Sequence, residues 1–190
     1  MKRRRIAIVS GLPRSGTSMM MKMLEAGGFP VLTDELREAD RDNPKGYYEF
    51  EPVKQLAHDR SWLSDAEGRV VKIISQLLKH LPSDHSYKVV FMRREMEEIL
   101  ASQRRMLVRR GEDTDTTADE KLAMLFRHHL ESVQQWLEDQ PNFDVLYVSY
   151  NHVLESPREE AQRIDRFFQE NLDVEAMAGV VDPTLYRQRA

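Results

Sequence analysis

Short apolar runs alternate with amphipathic segments along most of this chain. Four runs are apolar at nearly every position, as buried parallel strands are, and each is followed by a helical pattern; they cover residues 6–10, 70–74, 89–92 and 145–148. A weaker strand is predicted at residues 30–32. Apolar residues at helical spacing predict helices over residues 15–26, 52–60, 75–80, 95–110, 118–139 and 157–171. The alternation predicts an α/β fold, a three-layer sandwich whose central parallel sheet of four to five strands is flanked by helices.

The composition narrows the class of protein. A chain of 190 residues with 41% hydrophobic residues is long enough for one sizeable core, so we expect a single domain over residues 1–190. The net charge of -4 lacks the electropositive footprint of a nucleic-acid binder. Cysteine does not occur, no apolar run has the length of a transmembrane helix, and the run after the basic N-terminus is too short for a signal peptide. We therefore expect a soluble cytoplasmic protein.

The segment GLPRSGTS, residues 11–18, lies between the first predicted strand and the first predicted helix. It has the outline of a nucleotide-binding P-loop, in which backbone N–H groups converge on an anion and the helix N-terminus adds a favourable dipole. Kinases and ATPases with this loop place a lysine directly after the second glycine, where this chain has Thr17. The fold is therefore predicted to be of the P-loop type, without the lysine that binds β- and γ-phosphates.

A different set of polar groups surrounds this loop. Arg14 precedes Gly16 by two positions, and the hydroxyls of Thr17 and Ser18 open the helix. Hydroxyls and amides can hold a single phosphate with a bridging leaving oxygen, while an arginine neutralises its developing charge.

A second candidate site follows the predicted strand 89–92. Arg94 and Ser102 are eight residues apart, which on a helix is about 12 Å of rise. Both can face one phosphate only if Arg94 precedes the first turn and reaches back. Arg93 is the competing choice for the arginine.

These residues resemble the two nucleotide-binding motifs of the sulfotransferase family. Pro13-Arg14-Ser15-Gly16-Thr17-Ser18 resembles the family's 5'-phosphosulfate loop, P-[K/R]-S-G-T-[T/S], in its arginine version, as in the tyrosylprotein branch. Arg94 and Ser102 have the family's spacing for the 3'-phosphate of the donor. The resemblance implies that the donor is 3'-phosphoadenosine 5'-phosphosulfate (PAPS), bound by the six loop residues together with Arg94 and Ser102.

The resemblance weakens elsewhere in the chain. Residues 145–168 are similar to the family's last core strand and its packing helix, but Asn151 stands where an acidic residue is expected. Met19 occupies the place of the aromatic residue that stacks on adenine in cytosolic members, and their C-terminal RKG segment does not occur. Arg187 or Arg189 could return to the nucleotide, as C-terminal basic residues do in other branches, or lie in a solvated tail.

A base is needed to accept the proton of an attacking hydroxyl. Cytosolic members of the family use histidine and the Golgi-type branches use glutamate. Glu49 follows a turn between aromatic residues that could wall an acceptor pocket, and it is the first choice. Asp34, Glu35 and His58 stay open as alternatives. Lys72 is charged in an otherwise apolar strand, so we expect it to reach an anion or the end of the strand.

We therefore expect a sulfotransferase that moves a sulfuryl group from PAPS to a hydroxyl acceptor by in-line transfer, with Arg14 and Glu49 as catalytic residues and 3'-phosphoadenosine 5'-phosphate (PAP) as product. A metal ion is not required, because a sulfuryl group carries one negative charge where a terminal phosphoryl group carries two. The alternatives are a P-loop kinase for a small molecule and a non-catalytic nucleotide-binding module. The sequence identifies neither the acceptor nor the oligomeric state, and a homo-oligomer stays open.

Overall fold

Four parallel strands form the sheet in the computed structural model, which describes residues 5–34, 48–109, 111 and 116–182. The strands lie in the order β2-β1-β3-β4 and comprise β1 (Ile6–Gly11), β2 (Val70–Lys72), β3 (Tyr87–Arg93) and β4 (Phe143–Ser149). From β1 the chain passes to β2 on one side of β1, and it then crosses to β3 on the other side. In such a sheet the segments that leave β1 and β3 form a crevice at the carboxyl edge, where ligands bind.

Helices cover both faces of this sheet. The α-helices are α1 (Thr17–Ala26), α2 (Met96–Arg109), α3 (Thr116–Glu138), α4 (Tyr150–Glu155), α5 (Pro157–Phe168) and α6 (Val174–Gly179). Short 3₁₀ helices lie at Glu51–Gln55, Ser61–Ser64 and Ser75–His80. The helix α6 contacts both α1 and α5, whereas α3 contacts the 3₁₀ helix Ser75–His80.

The strands alternate their side chains between two separate cores. Ala7 and Val9 pack with residues of α1, α5 and α6, which defines the α1 face of the sheet. Ile6 and Ile8 pack with residues of the 3₁₀ helices and α3, which defines the α3 face. Because successive residues of a strand point to opposite faces, these apolar runs require cover on both sides. The predicted three-layer α/β sandwich with a parallel sheet is confirmed.

Some elements differ from their prediction in type or length. The segments predicted as helices at residues 52–60 and 75–80 contain 3₁₀ helices, the tighter form that suits short connections. The predicted strand 70–74 ends at Lys72, although Ile73 N still donates to Val9 O at 3.0 Å. The weak strand at residues 30–32 is reduced to one bridge between Val31 and Val70. The last long helix ends at Phe168 instead of residue 171, because Gln169 adopts a left-handed φ of 63°.

Two short helices, α4 and α6, were not predicted from the sequence. The hydroxyl of Ser149 accepts a hydrogen bond from His152 N at 3.3 Å and caps α4. The carboxylate of Asp173 accepts one from Ala176 N at 2.9 Å and caps α6. Both caps are recognisable N-cap residues, but one and a half turns are too short to show an apolar period.

Candidate functional site

The loop between β1 and α1 has a shape that depends on its two glycines. Gly11 and Gly16 have φ values of 147° and 98°, which residues with a Cβ rarely adopt. A Cβ on Gly11 would lie 2.8 Å from Met92 O, and a Cβ on Gly16 would lie 2.4 Å from Tyr150 Cδ2. The loop therefore packs directly against the end of β3 and the start of α4.

The start of α1 has the features of an anion-binding helix end. Arg14 has a left-handed φ of 70°. Ser15 tightens the turn by donating to Leu12 O from its backbone N at 3.2 Å and from its Oγ at 2.7 Å. Gly16 provides no side-chain cap, and the first turn of α1 contains no acidic residue. Consecutive amides of this kind at a helix N-terminus attract and bind an anion.

The rim of the loop is accessible to a ligand. Ser15 is buried, whereas Pro13 is exposed and Arg14, Thr17 and Ser18 are half-buried. Met19, where the resemblance would have placed an aromatic residue, packs partly buried against the core of the α1 face.

The two predicted binding motifs meet at Arg14. Arg14 Nε donates to Ser102 Oγ at 2.8 Å, and Arg94 Nη1 donates to Arg14 O at 3.1 Å. Arg94 lies two residues before α2 begins at Met96, as the eight-residue spacing required. The fold therefore brings both residues of the second motif to the arginine of the first.

Arg94 also belongs to a buried polar network that the sequence analysis missed. Its Nε donates to Glu98 Oε2 at 2.7 Å, and Asn151 Nδ2 donates to Glu98 Oε1 at 2.9 Å. The Arg94 guanidinium carbon lies 4.1 Å from the centroid of the Tyr150 ring. The side chains of Arg94 and Glu98 are 8% and 2% exposed, so they form a buried ion pair in which each charge helps to compensate the other. The spacing of i and i+4 between Arg94 and Glu98 was the available sequence signal.

Tyr150 sits beneath this network and beneath the loop. Burial raises the pKa of Tyr150 above its ordinary value, although the nearby cations Arg94 and Arg14 act in the opposite direction. The phenol is therefore neutral at physiological pH, and its ring supports both Gly16 and the Arg94 guanidinium.

A second cluster of charges lies at the carboxyl end of β2. Lys72 Nζ is 4.0 Å from Glu49 Oε1 and 3.5 Å from Ser18 Oγ. The side chains of Lys72 and Glu49 are 10% and 26% exposed. Lys72 thus lies at the end of its strand, as expected, and it connects the first-choice carboxylate to the first turn of α1.

Hydrogen bonds fix the backbone that carries Glu49. Glu49 O accepts from Thr33 Oγ1 at 2.9 Å and from Asp34 N at 3.3 Å. In return, the Asp34 carboxylate accepts from Glu51 N at 2.5 Å. These bonds tie residues 49–51 to residues 33–34, so the position of Glu49 is set by the fold.

The other candidate bases are placed less favourably or are not described. Asp34 uses its carboxylate for the backbone contact at residue 51. His58 is exposed in the turn that follows the first 3₁₀ helix. Glu35, Arg187 and Arg189 lie outside the described residues.

Arg93, the competing choice for the arginine, points to the α3 face. Its guanidinium carbon lies 4.0 Å from the centroid of the Tyr147 ring, and its Nη2 donates to Gln134 Oε1 at 2.7 Å. Arg93 therefore contacts α3 and β4, whereas Arg94 contacts the loop, α2 and Tyr150.

Within the described part of the chain, no three or more His, Asp or Glu side chains are grouped so that they could hold a metal ion. The helices in those same residues include none that is both long and apolar enough to span a membrane.

A family profile identifies the family of this chain, and similar solved structures share its fold. The family profile for the sulfotransferase domain matches residues 4–188. The sulfotransferase domain of the olefin synthase from Synechococcus PCC 7002 is similar in structure, with a TM-score of 0.63 at 16% identity over 99% of this chain and 89% of that one. A sulfotransferase from Alicyclobacillus acidocaldarius gives a TM-score of 0.54 at 15% identity, over 87% of this chain and 81% of that one.

A third similar structure is the sulfotransferase domain of the curacin biosynthetic pathway, with a TM-score of 0.53 at 11% identity over 100% of this chain and 93% of that one. No curated protein sequence matches the chain. The matched profile spans nearly the whole chain and includes the loop, the second motif and the sheet between them. The chain therefore belongs to the sulfotransferase domain family, and it is a transferase that moves a sulfuryl group.

Proposed function

We propose that this protein, as a single domain, transfers a sulfuryl group from PAPS to a hydroxyl acceptor without a metal ion. The observation that carries the proposal is the 2.8 Å hydrogen bond from Arg14 to Ser102. It joins two motifs that are 88 residues apart, one suited to the 5'-phosphosulfate and one to the 3'-phosphate. A donor that carries phosphate groups on both the 3' and the 5' positions of its ribose matches two adjoining anion sites better than a linear triphosphate does.

The residues of the loop would bind the 5'-phosphosulfate. The amides at the start of α1, together with the hydroxyls of Thr17 and Ser18, supply hydrogen bonds to its oxygens. Ser102 and Arg94 would bind the 3'-phosphate, with Arg94 oriented by Glu98 at 2.7 Å and by the ring of Tyr150.

The transfer itself forms one bond and breaks one. The acceptor oxygen bonds to sulfur, the bond from sulfur to the 5'-phosphate oxygen breaks, and the hydroxyl proton passes to the Glu49 carboxylate. Arg14 neutralises the charge that develops on the departing phosphate oxygen. Lys72, 3.5 Å from Ser18 Oγ and 4.0 Å from Glu49, brings a second cation to the same end of the loop.

Thr17 argues against phosphoryl transfer from ATP. In P-loop kinases the lysine at that position and a bound Mg²⁺ compensate the charge of the β- and γ-phosphates. A sulfuryl group carries less charge, so Arg14, Lys72 and the loop amides are sufficient partners.

Isothermal titration calorimetry with PAP, and separately with ATP and Mg²⁺, tests the donor. We expect PAP to bind in the presence of EDTA and ATP to bind far more weakly. A preference for ATP and Mg²⁺ would replace the proposal by the kinase alternative. Binding of PAP without transfer to any hydroxyl acceptor from labelled PAPS would indicate a nucleotide-binding module.

Arg14→Ala tests the assignment of the loop. Loss of a group that stabilises developing charge lowers the rate by about 10²- to 10³-fold, so transfer from labelled PAPS should fall by that factor. Arg127→Ala, which removes an exposed arginine of α3, is the matched control and should leave the rate unchanged. Circular dichroism checks that both variants are folded. Equal activity of the two variants would contradict the role given to Arg14.

A further inference from the structure

Tyr48 directly precedes Glu49, the proposed base, and it has a left-handed backbone with a φ of 52°. Within the described ranges only three other non-glycine residues have a positive φ, and one of them is Arg14 of the loop. A bulky side chain rarely adopts this conformation, and the strain persists only where surrounding contacts hold the residue in place. The contacts of Tyr48 therefore show what fixes the segment that carries Glu49.

Two contacts hold the Tyr48 side chain. Its ring packs, partly buried, against the core of the α1 face, and its hydroxyl donates to Glu25 Oε2 at 2.5 Å. Burial, and then the hydrogen bond to Glu25 and its charge, raise the pKa of the Tyr48 phenol above its ordinary value. The phenol is therefore protonated at physiological pH and can donate this bond. Because Glu25 lies in the last turn of α1, Tyr48 attaches the peptide before Glu49 to that helix.

Different contacts fix the peptide after Glu49. Glu49 O accepts from Thr33 Oγ1 at 2.9 Å and from Asp34 N at 3.3 Å. Because the bond angles at a Cα are fixed, the two flanking peptides together determine where its Cβ points. The bonds at Glu49 O fix one peptide and Tyr48 fixes the other, so both are needed to direct the Glu49 carboxylate to its place 4.0 Å from Lys72.

The helix α1 connects this attachment to the donor site. Ser18, in its first turn, lies 3.5 Å from Lys72 Nζ, and Glu25 follows seven residues later, about 10 Å along the helix axis. The proposed base and the phosphate loop are thus held by the same rigid element. Such placement matters for transfer between two bound groups, because a misplacement of about 1 Å can lower the rate about 10²-fold.

We infer that Tyr48 is a positioning residue for Glu49, and that its hydrogen bond to Glu25 holds the Glu49 carboxylate beside Lys72 and the loop. The inference rests on the proposed function, since it concerns the base of that reaction. Tyr48 and Glu25 act through Glu49 and contact neither donor nor acceptor. The hydroxyl of Tyr48 is therefore required in addition to its ring, which distinguishes this role from packing alone.

Tyr48→Phe removes the hydroxyl and keeps the ring. The position of Glu49 is followed by its carboxyl-carbon NMR resonance, and Lys72→Met is the perturbation that reports how close the two side chains are. Lys72→Met should shift this resonance in the wild-type background, and the shift should be lost in the Tyr48→Phe background. Glu25→Met should also abolish the shift, whereas Glu25→Gln should retain it, because the amide oxygen can accept the same hydrogen bond.

Kinetics test whether Tyr48 acts through the base. The probes are labelled PAPS with ethanol and with water, two hydroxyl acceptors small enough to reach Glu49 without a shaped pocket. Glu49→Gln should lower kcat by about 10²- to 10⁴-fold, and Tyr48→Phe by about tenfold with an unchanged KM for PAPS. In the Glu49→Gln background, Tyr48→Phe should cause no further loss. Glu67→Met, in an exposed turn before β2, is the control for Glu25→Met and should keep the wild-type rate.

The outcomes separate this inference from the proposed function. An equal shift of the Glu49 resonance with and without the Tyr48 hydroxyl overturns it, and so does an equal loss of rate from Tyr48→Phe in both backgrounds. Reduced PAP affinity in Tyr48→Phe overturns it too, because Tyr48 would then serve the donor. Failure of wild type to bind PAP contradicts the proposed function instead. The NMR comparison needs no turnover, and if Tyr48→Phe does not fold, Glu25→Met against Glu25→Gln decides.

Discussion

Replacing Glu98 by glutamine removes the charge of a buried carboxylate and preserves its shape. The side chains of Glu98 and Arg94 are 2% and 8% exposed and 2.7 Å apart, so they belong to the class of buried ion pairs. Removing one partner of such a pair costs about 3–5 kcal/mol, because the other charge stays in a medium of low polarity. Glutamine can still accept a hydrogen bond, and the Tyr150 ring still faces Arg94 at 4.1 Å, so we expect the lower end, about 3 kcal/mol.

Thermal unfolding followed by circular dichroism measures this cost. In a chain of this size each kcal/mol corresponds to about 2–4 °C, so Glu98→Gln should lower Tm by about 6–12 °C. Glu97→Gln is the matched control, since Glu97 lies in the same first turn of α2 but is exposed. It should lose only the helix-dipole contribution of about 0.3–1 kcal/mol.

Addition of PAP distinguishes the role of Arg94 from simple packing. If Arg94 binds the 3'-phosphate, the anion replaces the missing carboxylate, and saturating PAP should raise Tm more in Glu98→Gln than in Glu97→Gln. Equal Tm values for the two variants without ligand would refute the claim that Glu98 compensates Arg94. Equal shifts with PAP would refute the claim that Arg94 faces the nucleotide.

Two further predictions concern the loop and the α3 face. Gly16→Ala places a Cβ 2.4 Å from Tyr150 Cδ2 at a φ of 98° and should therefore distort the loop. Calorimetry should show that the affinity for PAP falls at least tenfold, which corresponds to about 1.4 kcal/mol of binding free energy. Unchanged affinity would mean that the loop does not bind the donor. Burial, and then the charge of Lys79, lower the pKa of His129 below its ordinary 6.5. The unfolded chain then binds the proton more readily, so stability should decline as pH falls below 6.5, and His129→Gln should flatten that decline in urea titrations between pH 7 and pH 5.

The sequence predicted the structure best where a feature depends on residues that are close together in the chain. Two glycines after an apolar run required a tight turn, and both adopt a positive φ between β1 and α1. The spacing of Arg94 and Ser102 required the arginine to precede its helix, and α2 begins two residues later. The apolar strands also indicated that successive residues would be buried alternately on the two faces of the sheet, as they are. Each of these features is determined by residues that are close together in the chain.

The sequence was least informative where distant segments meet. No local pattern indicates that Lys72 lies 4.0 Å from Glu49, because the contact depends on how residues 33–34 hold residues 49–51. A cavity of about 200 Å³ is lined by residues of the loop, β3, α2, α3 and β4, so its volume cannot be obtained from any one of these elements. The helices predicted at residues 52–60 and 75–80 contain 3₁₀ helices, because so few turns do not separate a period of 3.0 from one of 3.6.

The departure at Asn151 is explained by the buried network. Where the resemblance leads one to expect an acidic residue, this chain has an amide whose Nδ2 lies 2.9 Å from Glu98 Oε1. A carboxylate at position 151 would place two negative charges side by side in a buried position, which is unfavourable. An amide instead donates a hydrogen bond to Glu98 and leaves its pair with Arg94 intact. The residue that weakens the sequence resemblance is thus compatible with the buried pair that holds Arg94 beside the loop.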